Sequence, residues 1–299
     1  MKVTLHLGAT KTGTSALQAH LDRARGKLAQ ARICYPDIGI AAHAHHLLFA
    51  AIHPNAWAMH RDQFSTDIED RFAIFRDMIS AIFAEAEQTG AKHIVLSSEY
   101  LWGVLSERFL IPLAAALSGH DVRLVAVLRR QDLWLEASYL QAVKFGQRKS
   151  FADWLPEFTK TAHSGSDFAA VIAGWEKALS PRETCVTPYE FTDRTAFTRH
   201  IVNLVCDSDV AMEVVPSTAK VANPSPTREG LHALLSDTQA GTAMWRAEGT
   251  RATFLFSPDE QRAILERYRA TNEALAQRFQ PGGPPAFFDM SDSGVTNGG

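Results

Sequence analysis

Along this chain, short apolar runs alternate with longer stretches in which apolar residues recur every three or four positions. Val3-Thr4-Leu5-His6-Leu7, stopped by Gly8, predicts a strand, and Leu17, Leu21, Ala24 and Leu28 predict a helix over residues 14–30. A second strand is expected at 33–35, closed by Pro36. Residues 66–88 carry Ile68, Phe72, Phe75, Ile79 and Phe83 on one helical stripe, ended by Gly90. A strand at 93–97, a helix at 105–117, a nearly all-apolar strand at 122–128 and a helix at 131–145 follow, then a weaker strand at 185–187. Repeated strand–helix–strand units predict an α/β fold with three layers, a central parallel sheet covered by helices on both faces.

After about residue 190 the pattern is mainly helical. Ser257-Pro258-Asp259-Glu260 offers an N-cap, a first-turn proline and a capping-box glutamate, and Leu265, Tyr268, Leu275 and Phe279 continue that helix. The polar, glycine-rich residues 291–299 are expected to be a disordered tail, leaving 1–290 as a single domain. Residues 37–65 show several histidines and no clear period.

Composition narrows the classes of function. With 46% hydrophobic and 21% charged residues the chain has ample material for a core. Its net charge of -3 excludes a general attraction to nucleic acid, so anion binding has to be local. The three cysteines are too scattered for a disulfide framework or a zinc motif, so free thiols are expected. No apolar run approaches the roughly 20 residues of a membrane helix, and the run before Gly8 is too short for a signal peptide. A cytoplasmic protein is the expectation.

The chemistry is concentrated in Gly8-Ala9-Thr10-Lys11-Thr12-Gly13-Thr14-Ser15, between the first strand and the first helix. Two glycines let the backbone turn close to an anion, and amides at the helix start point toward it. Thr12, Thr14 and Ser15 add hydroxyls. The loop differs from the nucleotide-triphosphatase pattern, which sets lysine directly after the second glycine. Thr14 stands there, and the lysine is Lys11, within the loop. That placement suits a donor whose reaction needs no metal.

The Lys11-Thr12-Gly13-Thr14-Ser15 stretch, with Ala16-Leu17-Gln18 behind it, resembles the 5′-phosphosulfate loop of sulfotransferases that use 3′-phosphoadenosine 5′-phosphosulfate (PAPS). The resemblance implies that Lys11 stabilises the departing phosphate and that Thr10, Lys11, Thr12, Gly13, Thr14 and Ser15 hold it. It extends to Arg129-Arg130, where one arginine and a serine eight residues on would bind the donor's 3′-phosphate. Counting from Arg130 reaches Ser138, and counting from Arg129 reaches Ala137, so the register stays open. Glu99, at a strand end, is the implied general base. Looser likeness is found at Val221-Ala222-Asn223-Pro224-Ser225 and Asn272, while a late G-x-x-G-x-W-K element is missing.

The expected reaction is sulfuryl transfer from PAPS to a hydroxyl or amine of a small molecule, lipid or glycan, with 3′-phosphoadenosine 5′-phosphate as product. Two alternatives remain: a metal-dependent kinase or nucleotide hydrolase, and a non-catalytic protein of the same fold. His43, His45 and His46 have a spacing that metal sites use, but no matching cysteine or carboxylate motif accompanies them, so they are read as pocket lining.

Overall fold

The computed structural model describes residues 1–103, 106–160, 165–189, 193–216, 231, 235–236, 255–282 and 287–288. The expected tail and the Val221–Ser225 likeness lie outside the described residues. The chain divides into two compact units, the first made of 1–128 and 170–222, the second of 129–169 and 223–299.

In the first unit, strand β1 (Lys2–Leu7) leads through the loop into α1 (Thr14–Arg23) and α2 (Arg25–Gln30). Strand β2 (Ile33–Cys34), helix α3 (His46–Ile52), helix α4 (Ile68–Gln88) and strand β3 (His93–Ser98) follow. Helix α5 (Glu107–Leu117) then leads into strand β4 (Asp121–Leu128). The sheet has the order β2-β3-β1-β4-β5, all parallel, with β5 at Glu183–Pro188. β1 and β4 are buried almost throughout, as strands covered on both faces must be. One face carries α1 and α9 (Arg194–Cys206), whose Leu17, Leu21, Ile201 and Val205 pack on Val95, Val125 and Val127. α3, α4 and α5 belong to a second helical layer, joined by Trp175, whose indole N–H donates to the Leu101 carbonyl and whose ring meets Phe109 edge-on.

In the second unit, α6 (Gln131–Lys144) and α7 (Phe151–Lys160) share an aromatic cluster of Tyr139, Phe151 and Trp154. Helix α8 (Phe168–Leu179) begins there and returns the chain to the first unit. Residues 258–279 form two helices, α11 (Pro258–Arg267) and α12 (Arg269–Phe279), after a short α10 at Ala211–Val214. The capping box forms as its residues imply, with the Ser257 hydroxyl accepting from the Glu260 amide and the Glu260 carboxylate accepting from Ser257.

Two expected helices are broken. Residues 14–30 divide at Ala24, whose amide is shared between the His20 and Leu21 carbonyls, and α2 carries Gly26, a weak helix former. The last helix divides at Tyr268, whose hydroxyl donates to Ser166 from a buried position. Residues 37–65 contain the unforeseen α3 and a 3₁₀ turn at Ala56–His60. The buried stripe of α4 also differs from expectation: it runs through Arg71, Phe75, Ile79, Ile82 and Ala86, with an arginine at its head. All three cysteines are free thiols, and burial pushes Cys34 and Cys206 up to about 12. Among the described residues no helix is long and apolar enough to cross a membrane.

Candidate functional site

The loop from Gly8 to Ser15 leaves the carboxyl end of β1, the central strand, beside the end of β3. The Gly8 amide donates to the Ser98 carbonyl (3.1 Å), and a Cβ at Gly8 would lie 3.0 Å from that oxygen, so only glycine lets the two strand ends approach. Lys11 and Gly13 both take left-handed backbone conformations (φ 67 and 81), which turn the loop back on itself. The Thr12 hydroxyl closes it by donating to the Ala9 carbonyl (2.6 Å). At the start of α1 no side chain caps the helix and its own first turn contains no acidic residue, an arrangement that suits an anion at the positive end of the dipole. Lys11 and Thr10 are half-buried, and Gly13 and Ser15 are exposed.

Glu99 is tied to this loop. Its Oε1 accepts from the Thr14 hydroxyl at 2.6 Å, joining two candidate residues 85 positions apart. Glu99 opens a 3₁₀ turn, Glu99–Leu101, whose first amide bond goes from Tyr100 to the Ser98 hydroxyl. The same Ser98 hydroxyl is hydrogen-bonded to His46 Nδ1 (2.9 Å). Burial pushes the His46 imidazole down to about 4, with His60 adding to the shift, so it is neutral at physiological pH. Behind the loop, His6 Nδ1 bonds the Ser97 hydroxyl (2.8 Å), which also accepts from Gln18 (3.1 Å). Complete burial lowers His6 to about 4.

The three clustered histidines separate. His43 pairs with Asp22, while His45 accepts from the Ser97 amide at Nδ1 and donates to the Pro36 carbonyl from Nε2. His46 faces Tyr100, with ring centroids 4.6 Å apart. Among the described residues no group of three His, Cys, Asp or Glu side chains is placed to hold a metal ion.

In the second unit the two arginines differ. Arg130 is the N-cap residue of α6 and is buried; its Nε and Nη2 donate to the two carboxylate oxygens of Asp132 at 2.8 and 2.9 Å. Asp132 is fully buried, so this fork is part of how α6 begins. Arg129 is half-buried. The Ser138 hydroxyl, about two turns along α6, donates to the Trp134 carbonyl (2.8 Å). Gln131 and Asn272 form a reciprocal buried amide pair at 2.8 and 3.0 Å.

Comparison with known proteins bears on the fold. A crystal structure of a sulfotransferase from Alicyclobacillus acidocaldarius superposes with a TM-score of 0.54 at 13% identity, covering 93% of this chain and 95% of that one. The fold is sulfotransferase-like. No protein-family model matches the chain. An uncharacterized protein of Archaeoglobus fulgidus is 25% identical over 170 residues, covering 52% of this chain and 45% of that protein, so the chain spans under half of that relative's length.

Within this sulfotransferase-like fold the structure brings Thr14 and Glu99 into direct contact and sets Lys11 in the same loop. The Ser98–His46 bond and the packing position of Tyr189, whose ring carbon would lie 3.3 Å from a Cβ at Gly13, were not foreseen. Both depend on contacts between residues distant in sequence, and neither has a local motif. Trp134 is core, packed against Phe158 and Phe168.

Proposed function

We propose that this chain transfers the sulfuryl group of PAPS to an acceptor hydroxyl or amine. The observation that carries this reading is the uncapped, left-handed loop at the end of the central strand, with a lysine inside it and a carboxylate hydrogen-bonded to its Thr14. Lys11 and the first amides of α1 stabilise charge on the departing 5′-phosphate. Glu99, held by Thr14 through one oxygen, keeps its other oxygen to take the proton of the attacking group. The acceptor atom forms a bond to sulfur, the bond from sulfur to the phosphate oxygen breaks, and the electron pair leaves with 3′-phosphoadenosine 5′-phosphate. As in phosphoryl transfer, rate comes mainly from positioning and fixed charge.

Arg129 is assigned to the donor's 3′-phosphate, because the Arg130 fork is taken up by Asp132; this gives up the eight-residue spacing of the resemblance, since Ser138 lies nine residues from Arg129. Arg130 supports that element by fixing the start of α6. The acceptor is a small molecule, lipid or glycan, and no divalent ion takes part. The test is incubation of the protein and its Lys11→Ala variant with sulfur-labelled PAPS and fractionated acceptors. Label in an acceptor with the parent protein and not the variant supports transfer; equal labelling by both removes Lys11 from the mechanism. Phosphoryl transfer from magnesium ATP would support a kinase instead.

A further inference from the structure

The buried stripe of α4 begins with a charge. Arg71 is 4% exposed and lies in a row otherwise made of Phe75, Ile79, Ile82 and Ala86. Its Nε donates to the Ala51 carbonyl (3.3 Å), and its Nη1 donates to those of Ser65 (3.3 Å) and Thr66 (3.1 Å). Its guanidinium carbon lies 4.5 Å from the centre of the Trp57 ring. Among the described residues no carboxylate is within ion-pairing distance of it, and its Nη2 makes no hydrogen bond. Burial lowers its pKa first and the charge of Arg108 second, with Asp67 opposing. A guanidinium buried without a counter-anion is costly.

Arg71 borders a cavity of about 470 Å³ in the first unit, together with Arg108, Ser106, Asp67, Trp57 and Phe109. Asp67 is engaged at the start of α4, where its Oδ1 accepts from the amides of Glu69 and Asp70. α5, by contrast, starts at the cavity without a side-chain cap, since the Ser106 hydroxyl makes no capping bond. The cavity thus presents one buried and one exposed guanidinium, a hydroxyl and an uncapped helix start, beside apolar surface from Trp57 and Pro54. Its volume is that of small-molecule sites.

We infer that this cavity binds a small organic anion, its carboxylate or sulfate held by Arg71 and Arg108 and its apolar body against Trp57 and Pro54. The inference does not depend on sulfuryl transfer: it concerns residues outside the Gly8–Ser15 loop.

Calorimetric titration of the whole chain with benzoate, phenyl sulfate, benzyl alcohol and inorganic sulfate tests it. The two organic anions should bind, with benzyl alcohol and inorganic sulfate each at least roughly ten-fold weaker. Arg108→Ala, at an exposed position, should weaken benzoate binding by about ten-fold or more without lowering the melting temperature. Arg71→Gln should weaken it as well, and Lys11→Ala should leave it unchanged, which separates the cavity from the loop. Benzoate binding no tighter than that of benzyl alcohol, phenyl sulfate binding no tighter than that of inorganic sulfate, or benzoate affinity indifferent to Arg108→Ala would each overturn the inference. Failure here with intact binding of 3′-phosphoadenosine 5′-phosphate leaves the transfer reading standing, and the converse result does the opposite.

Discussion

The two candidate anion elements are built on opposite plans. The Gly8–Ser15 loop makes its shape from backbone: two left-handed residues, a glycine pressed against Ser98 and one hydroxyl closing on Ala9. Its helix start is uncapped. The Arg129–Ser138 element makes its shape from side chains, an Arg130–Asp132 fork at the first turn and a serine hydroxyl returned to its own helix. A loop built from backbone keeps its amides available to a ligand. An element built from side chains commits a cation to structure, as Arg130 is committed to Asp132, so adjacent arginines in sequence need not share a role.

Acid should test the first plan most severely. His6 and His46 lie at about 4 and His45 at about 3, each lowered chiefly by burial. A folded-state pKa below the unfolded value of 6.5 means that the unfolded chain binds more protons. Stability is therefore complete above pH 6.5 and falls as pH drops toward 4, by up to roughly 1.4 kcal/mol per pH unit for each ring. Melting temperatures across pH 7 to 5 should show this fall, and a flat profile would mean that these rings are not buried neutral.

Arg130→Ala sharpens the contrast next, since it strands a fully buried carboxylate. It should destabilise the fold by about 3–5 kcal/mol in urea unfolding. Lys11→Ala should leave unfolding nearly unchanged and lower transfer by roughly 10²–10³-fold in single-turnover assays. Arg129→Ala should weaken 3′-phosphoadenosine 5′-phosphate by about ten-fold or more while sparing the affinity for adenosine 5′-phosphate, which lacks the distinguishing group. If Arg130→Ala instead keeps full stability and loses only binding, the roles of the two arginines are reversed. Ser138→Ala is the mildest change, expected to reduce bisphosphate affinity only a few-fold, in line with roughly 1 kcal/mol for one neutral hydrogen bond.

The same contrast explains what could be read from the chain alone. β1, β3 and β4 were legible because strands covered on both faces must be apolar runs, and the loop was legible because its residues are contiguous. The tie between Thr14 and Glu99 spans 85 positions and has no local signature. Helix α3 was hidden because histidines read as polar, whereas His45 and His46 are neutral and bonded to the end of β3. The stripe of α4 was misplaced because a buried arginine does not count as apolar. The sequence at 129–138 left the choice between the two arginines open, and the Arg130–Asp132 fork depends on side-chain geometry that no spacing rule carries.

The central claim is that this chain grips an adenosine bisphosphate without a divalent ion. Calorimetry with 3′-phosphoadenosine 5′-phosphate, in the presence and absence of EDTA, tests it most directly. The account predicts saturable binding of equal affinity in both conditions and little uptake of magnesium ATP; absence of bisphosphate binding, or tight ATP binding that EDTA abolishes, would contradict it.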